Sequence, residues 1–170
     1  MNQSFGYLPQ SKRKKILLIC DDIRVHSGVA TVARELVINT AQHFNWVNVG
    51  GAINHPEVGK RLDLSADTNA NAGIDDSSVV LYPSNGYGDA RLIRQLIKME
   101  KPDAIFLITD PRYFIWLFQM WKTSDNVFHA MILALSVTAL YIDILVSVKS
   151  ILLMYFLYIR QSLEYSKKVV

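Results

Sequence analysis

The sequence predicts an α/β domain built on a parallel sheet with helices on both faces, followed by an apolar, helical tail. Three observations support this prediction: short apolar runs that end in polar residues, amphipathic helical patterns between those runs, and a change in composition near residue 120. Continuous short apolar runs are typical of parallel strands that are buried on both faces. Their alternation with helical patterns indicates a parallel sheet covered by helices.

The composition narrows the class of protein. A chain of 170 residues has the length of one domain with a small appendage. Its net charge of +3, with neutral histidines, is too small to indicate specific binding to nucleic acid. The 8 glycines, 5 prolines and single cysteine exclude a disordered chain, a collagen-like repeat and a disulfide scaffold. The lone Cys20 is expected to be a buried thiol, which fits a cytoplasmic protein.

The first strand, helix and second strand form one βαβ unit. Residues 15–22 are an apolar run that ends in two aspartates, which predicts a buried strand. The basic cluster at residues 12–15 is expected to be the solvated start of that strand. Ser27 can cap a helix whose apolar stripe follows helical spacing over residues 28–44. Residues 46–49 then predict the second strand.

The later elements continue the alternation. Residues 52–78 are polar and without a sustained period, which predicts a long loop, with or without a short hairpin. Residues 79–82 predict a third strand, and the turn-forming residues 83–88 follow it. Residues 89–101 predict an amphipathic helix that ends at a Lys-Pro pair. Residues 104–108 predict another buried strand, so the sheet is expected to be Rossmann-like.

Candidate functional residues lie in the loops after the strands. Ligands of such sheets bind at the carboxyl ends of the strands, because the loops that follow them meet at that edge. The sequence does not identify a catalytic residue; Asp110, after the last predicted strand, is a candidate. The candidate substrate-binding residues are Asp22, His26, Ser27, Gly28, Val29, Asn85 and Gly86.

The start of the first helix is a candidate anion site. Its amides and the helix dipole suit a phosphate, and Gly28 lets a phosphate approach the backbone. A single glycine is not the three-glycine fingerprint of dinucleotide-binding sheets. Phosphate binding and a plain helix start therefore both remain open.

Metal sites are not predicted. The pair Asp21-Asp22, with Asp110, is similar to the acidic site of receiver domains, but too many elements separate them in the chain. Residues 67–78 begin like a calcium loop, yet the glycine comes one place late and the twelfth position is Ser78. The histidines lack Cys or acidic partners at ligand spacing.

The order of several motifs resembles the N-terminal domain of GT-B glycosyltransferases of the family 4 kind. Residues 27–37 (SGVATVARELV) and 43–49 (HFNWVNV) resemble the opening helix and second strand of that family. Residues 101–108 (KPDAIFLI) resemble its later Lys-Pro-Asp strand. Residues 55–60 (HPEVGK) and 110–112 (DPR) are similar to phage-type members.

This resemblance implies transfer of a sugar from a nucleotide sugar to an acceptor, in a cleft between two Rossmann-like domains. Residues 12–119 would be the acceptor-side domain, with Gly28 near the donor phosphates and Asp110 near the acceptor. The nucleotide sugar is a substrate, so no cofactor and no metal are expected. Ser27 replaces the first glycine of the family's pair, and residues 120–170 offer no counterpart of the donor-binding domain. We therefore expect a glycosyltransferase fragment with little or no activity by itself.

The tail, residues 120–170, leaves three interpretations open. Between residues 126 and 159 its only full charges are Asp143 and Lys149. It could be a membrane helix over about residues 127–146, an apolar helix that packs on the domain, or the product of a shifted reading frame. Membrane association through residues 127–159 would favour the alternative function, a non-catalytic nucleotide- or partner-binding module anchored at a membrane.

Overall fold

The computed structural model describes residues 8–52 and 54–122, and the predictions for the tail beyond residue 122 lie outside these ranges. In the described part, no helix is long and apolar enough to cross a membrane. In chain order the helices and strands are β1 (Lys14–Asp21), α1 (Gly28–Thr40), β2 (Phe44–Ala52), β3 (Leu62–Asp63), α2 (Ser65–Ala72), β4 (Val79–Asn85), α3 (Ala90–Glu100), β5 (Ala104–Leu107) and α4 (Ile115–Lys122).

The strands form one mostly parallel sheet, which confirms the predicted α/β class. Its order is β3-β4-β2-β1-β5; β3 alone runs antiparallel, at the edge beside β4. Counted along the chain, the four parallel strands have the order 3-2-1-4. The order reverses between β1 and β5, and this switch point is where doubly wound sheets leave a crevice for ligands.

The core lies on both faces of the sheet. On one face, Leu17 and Ile19 of β1 join a buried cluster with Ile93 of α3 and Leu117 of α4. Alternate residues of a strand point to opposite faces. Helix α1 contacts β1 and α2, and none of its residues joins that cluster, which places α1 on the opposite face.

Two predictions about irregular segments are wrong. The predicted loop at residues 52–78 contains β3 and α2, which are too short to give a clear periodic pattern. Strand β4 also continues through Pro83 to Asn85, where turn chemistry predicted a loop. Ser78 and Gly86, which flank β4, both bond to β2, through Trp46 N and Ala52 O. Because the bonding side alternates along a strand, even-numbered residues of β4 face β2 and Pro83 faces away from it. The lack of an N–H at Pro83 therefore costs no hydrogen bond to β2.

The basic cluster before β1 is not wholly solvated, because Arg13 is buried. Its Nε donates to Leu8 O at 2.7 Å, its Nη1 to Asp76 O at 2.7 Å, and its Nη2 to the Asp76 carboxylate at 2.6 Å. The side chain of Asp76 is one-third exposed. Arg13 therefore joins the start of the chain to the segment that precedes β4.

We expect Arg13→Met to lower the free energy of unfolding by about 2 kcal/mol. Loss of one partner of a buried pair costs about 3–5 kcal/mol, and the partial exposure of Asp76 lets water replace some of the lost bonds. Urea denaturation measures the change. The matched control is Lys12→Met, at an exposed position of the same cluster, for which a change within about 0.5 kcal/mol is expected. Equal effects of the two substitutions would contradict the structural role of Arg13.

Candidate functional site

At the carboxyl end of β1, the Asp21 carboxylate accepts hydrogen bonds from two hydroxyl groups. Ser27 Oγ donates to Asp21 Oδ2 at 2.5 Å, and Tyr87 Oη donates to Asp21 Oδ1 at 2.9 Å. Thr109 Oγ1, after β5, lies 3.4 Å from Tyr87 Oη. We call Asp21, Ser27, Tyr87 and Thr109 the hydroxyl cluster. It joins loops that follow β1, β4 and β5, beside the switch point of the sheet.

Ser27 also fixes the start of α1. Its Oγ accepts a hydrogen bond from Ala30 N at 3.0 Å, so the predicted N-cap is confirmed. The same oxygen donates its own proton to Asp21. The cap therefore holds the Asp21 carboxylate close to the amino end of α1.

Tyr87 reaches Asp21 by crossing the end of β2. A Cβ added to Gly51 would lie 2.9 Å from both Tyr87 Cδ1 and Gly86 O, so only glycine leaves room for this path. Gly86 turns the chain with a φ of 62°, and its N–H donates to Ala52 O at 2.9 Å. Burial raises the pKa of the Tyr87 hydroxyl, and the hydrogen bond to Asp21 adds to that rise. Tyr87 is therefore a hydrogen-bond donor at neutral pH.

Aromatic rings extend the cluster on one side. The Tyr87 ring lies 5.4 Å from the ring of Tyr113 and 5.7 Å from that of Phe114, measured between centroids. Tyr113 is 60% exposed, whereas Phe114 is buried. A partly exposed aromatic surface thus adjoins the Asp21 carboxylate.

A second cluster of charged groups surrounds the buried Asp22. Arg24 Nη2 donates to Asp22 Oδ2 at 2.7 Å and to Glu57 Oε2 at 2.9 Å. His55 Nε2 lies 2.8 Å from Asp22 Oδ2. Burial raises the pKa of Asp22, but the hydrogen bonds from Arg24 and His55 outweigh it and hold that pKa below its usual range. We call Asp22, Arg24, His55 and Glu57 the ion cluster.

The hydrogen bonds of His55 define its tautomer and its role. Glu57 N donates to His55 Nδ1 at 3.1 Å, so Nδ1 is an acceptor and the other nitrogen, Nε2, carries the ring proton. That proton is donated to Asp22. Because both ring nitrogens are engaged within the protein, His55 anchors the loop after β2 and has no nitrogen left for a substrate proton.

The predicted site residues fall into different places. Asp22 belongs to the ion cluster and Ser27 to the hydroxyl cluster. Asn85 lies beside the ion cluster, where its Oδ1 accepts from His55 N at 2.8 Å. His26 is exposed in the loop before α1. Asp110 is half-buried after β5, where its backbone O accepts a hydrogen bond from Tyr113 N at 3.1 Å.

The remaining predicted residues belong to the backbone around the clusters. Gly28 is exposed and Val29 half-buried at the start of α1, and Gly86 forms the turn before Tyr87. Gly28 has no atom within 4 Å of the place where a Cβ would lie. This open space lets a ligand approach the backbone of α1.

Sequence reasoning missed Asp21, Arg24, Glu57, Tyr87 and Thr109 as site residues. Tyr87 lies in a turn, and Thr109 directly follows an apolar run. The position of Thr109 after a strand was a usable signal, because strand ends of this type meet at one edge. The same signal marks Tyr87, two residues after β4, but nothing in the sequence indicates its partner Asp21, which lies 66 residues away in the chain.

The position of Asp21 bears on the anion site predicted at α1. A phosphate at the amino end of this helix would meet the helix dipole favourably. It would also meet the Asp21 carboxylate that Ser27 holds at the same end. Like charges repel, so this end of α1 favours neutral, hydroxyl-bearing groups over an isolated phosphate. Among the residues that the structure describes, no group of three His, Cys, Asp or Glu side chains could hold a metal ion.

Comparisons with known proteins give no relative from which a function could be transferred. No protein-family model matches the chain, and no curated protein or solved structure is significantly similar to it. The chemistry of the two clusters and their place in the sheet therefore carry the functional argument.

Proposed function

We propose that residues 12–119 form the Rossmann-like, acceptor-side domain of a glycosyltransferase of the GT-B type. In this proposal the domain binds and orients a hydroxyl group that receives a sugar from a nucleotide sugar. The hydroxyl cluster at the switch point of the 3-2-1-4 sheet is the observation that supports it. Ligands of doubly wound sheets bind in that crevice.

The chemistry of Asp21 suits a sugar ligand. Each of its carboxylate oxygens accepts a hydrogen bond from a hydroxyl group, with O···O distances of 2.5 and 2.9 Å. Two neighbouring hydroxyls of a sugar would offer the same pair of hydrogen bonds. An incoming diol could replace the Ser27 and Tyr87 hydroxyls as donors without leaving Asp21 unpaired. Those two hydroxyls could then turn to accept bonds from, or donate bonds to, other ligand atoms.

The aromatic surface supports the same class of ligand. Ligand sites commonly combine aromatic side chains with a few well-placed polar groups, which orient the ligand. Here the Tyr87 hydroxyl donates to the Asp21 carboxylate, and the Tyr113 ring lies 5.4 Å from the Tyr87 ring. The apolar C–H face of a sugar ring would cover the exposed part of Tyr113 while its hydroxyls face Asp21.

The proposal assigns only part of the reaction to this domain. In glycosyl transfer, the leaving phosphate gains negative charge that positive groups must stabilise. The carboxylate at the start of α1 cannot supply that stabilisation. We therefore assign the acceptor to the hydroxyl cluster and place the main phosphate contacts outside it.

Asp21→Asn is expected to weaken the binding of simple glycosides about tenfold. A hydrogen bond to a charged acceptor contributes about 1.5–3 kcal/mol, and 1.4 kcal/mol corresponds to a factor of ten. Saturation-transfer difference NMR, with a panel of methyl hexosides and the full chain, measures such weak affinities. The control is Asp75→Asn, an exposed aspartate in the loop before β4. If both variants bind like the original chain, the hydroxyl cluster is not the sugar site.

A further inference from the structure

A groove lies outside the two clusters, along the free side of β4. Its volume is about 540 Å³, within the range of about 300–1,000 Å³ that is typical of small-molecule sites. Three segments bound it: residues 58–61, the end of β4 and helix α3. We call it the edge groove. Neither Asp21 nor Tyr87 lines it.

Two walls of the edge groove carry apolar side chains that water covers. Met99 of α3 is 57% exposed and Val58 of the loop is 49% exposed. Leu92, which is half-buried, also lines the groove on α3, whereas Leu96 there is buried. Apolar side chains gathered along a concave surface indicate a binding site, because a ligand that covers them removes their area from water.

The loop wall adds two cations. Lys60 and Arg61 both line the groove, and their side chains are 62% and 52% exposed. Lys60 Nζ lies 3.9 Å from Glu57, and Arg61 Nε lies 3.5 Å from Glu100. These contacts orient the two side chains. The Lys60–Glu57 pair is exposed and therefore weak, whereas Glu100 is only 11% exposed and holds Arg61 more firmly. An anion at this wall would compete with Glu57 for Lys60 and would share Arg61 with Glu100.

The acidic side chain that lines the groove, Asp89, lies on another segment and already accepts hydrogen bonds from the backbone. Asp89 Oδ1 accepts hydrogen bonds from Arg91 N at 2.7 Å and from Leu92 N at 2.9 Å, as the N-cap of α3. Those bonds hold the pKa of Asp89 below its usual range. The groove thus combines apolar side chains on two walls, two cations on the loop wall and a carboxylate that caps α3.

The strand edge beside the groove is poorly suited to a peptide. Strand β3 pairs with β4 only at Val80 and Leu81, so the carboxyl-terminal part of β4, residues 82–85, faces the groove. An added peptide strand needs outward N–H groups, and Pro83 supplies none. A small molecule fits this edge better than an extended peptide does.

We propose that the edge groove binds an amphipathic organic anion, an alkyl or aryl body that carries a phosphate or carboxylate head. The body lies between Met99 and Val58, and the head lies at Lys60 and Arg61. This site is separate from the proposed sugar site. Its occupant would bind whether or not the domain transfers sugars.

The test is calorimetric titration of the full chain with decyl phosphate, below its micelle concentration. Decanoate tests the carboxylate head, decanol tests the body alone, and inorganic phosphate tests the head alone. We expect decyl phosphate or decanoate to bind at least tenfold more tightly than either decanol or phosphate. Equal affinity for decanol and for both anions would overturn the proposal.

Two substitutions locate the site, each with a matched control. Lys60→Glu should weaken binding of the tighter anion at least tenfold, whereas Lys98→Glu, on the exposed side of α3, should not. Met99→Ser should weaken it several-fold, whereas Ile115→Ser, at an exposed position of α4, should not. These exposed positions are chosen so that the variants fold, which thermal melting checks. If folded Lys60→Glu and Met99→Ser bind like the original chain, the anion does not occupy the edge groove.

Discussion

Replacing Asp22 by alanine is expected to lower the free energy of unfolding by about 3–4 kcal/mol. Its carboxylate is buried and bonded to both Arg24 and His55. Removing one member of a buried charged network leaves the others unpaired, which costs about 3–5 kcal/mol. Because Arg24 is partly exposed, water recovers a part of that loss. Urea denaturation measures the change.

The dependence of folding stability on pH tests whether the charge of Asp22, and not only the packing of its side chain, stabilises the fold. Its pKa is lower in the folded chain than in the unfolded chain, where about 3.9 is usual. A carboxylate of this kind stabilises the fold above its unfolded pKa, and the stabilisation is lost as the pH falls through the folded pKa. We therefore expect Asp22→Asn to lose less stability than the original chain between about pH 4 and pH 2. Parallel acid unfolding curves would contradict the assignment.

A control for Asp22→Ala tests whether the network, and not burial alone, is responsible. Glu57→Gln removes a charge at the exposed end of the ion cluster, where Arg24 Nη2 is its partner. Exposed pairs contribute about 0.2–1 kcal/mol, so a small change is expected there. A loss as large as that of Asp22→Ala would place the stabilising contact at Glu57 instead.

Alanine at Gly50 or Gly51 is expected to destabilise the domain by about 1–3 kcal/mol, the usual cost of overpacking. A Cβ at Gly50 would lie 2.9 Å from Asp22 Cα, and one at Gly51 would lie 2.9 Å from Gly86 O. Both obstacles are backbone atoms, so relief requires the strand ends to separate. Gly51→Ala should also displace the Tyr87 ring, which the loss of its near-ultraviolet circular dichroism would report.

Gly28→Ala is the matched control for the two glycines. No atom lies within 4 Å of its added Cβ, and alanine favours a helix over glycine by up to about 1 kcal/mol. We therefore expect unchanged or slightly higher stability. If Gly28→Ala were as harmful as Gly51→Ala, close approach at the end of β2 would not explain the glycine pair.

Four strands and two helices were predictable because each carries a local signal. The apolar runs gave β1, β2, β4 and β5, and the caps Ser27 and Asp89 placed the starts of α1 and α3. Strand β3 has two residues, which is too few for a pattern to form. Pro83 was misinterpreted because its tolerance depends on the side of β4 that β2 occupies.

The site was less predictable because its contacts are distant in sequence. Asp21 and Asp22 are equivalent as a sequence pair, yet Asp21 ends β1 and Asp22 follows it, and the two side chains have different partners. Asp21 meets Tyr87, while Asp22 meets His55, which lies 33 residues away. Arg13 likewise depends on Asp76, 63 residues further along the chain. Strand-end position identifies such residues as candidates, but only the folded chain assigns their partners.

If the hydroxyl cluster binds the hydroxyl groups of a sugar, that sugar should perturb the residues around Asp21. The most direct measurement is amide chemical-shift mapping of the ¹⁵N-labelled full chain during titration with the methyl hexoside that binds best. The account predicts that the largest saturable shifts fall on residues 21–29, 85–88 and 109–110, and that Asp21→Asn reduces them. Saturable shifts confined to other surfaces, or shifts that Asp21→Asn leaves unchanged, would contradict it.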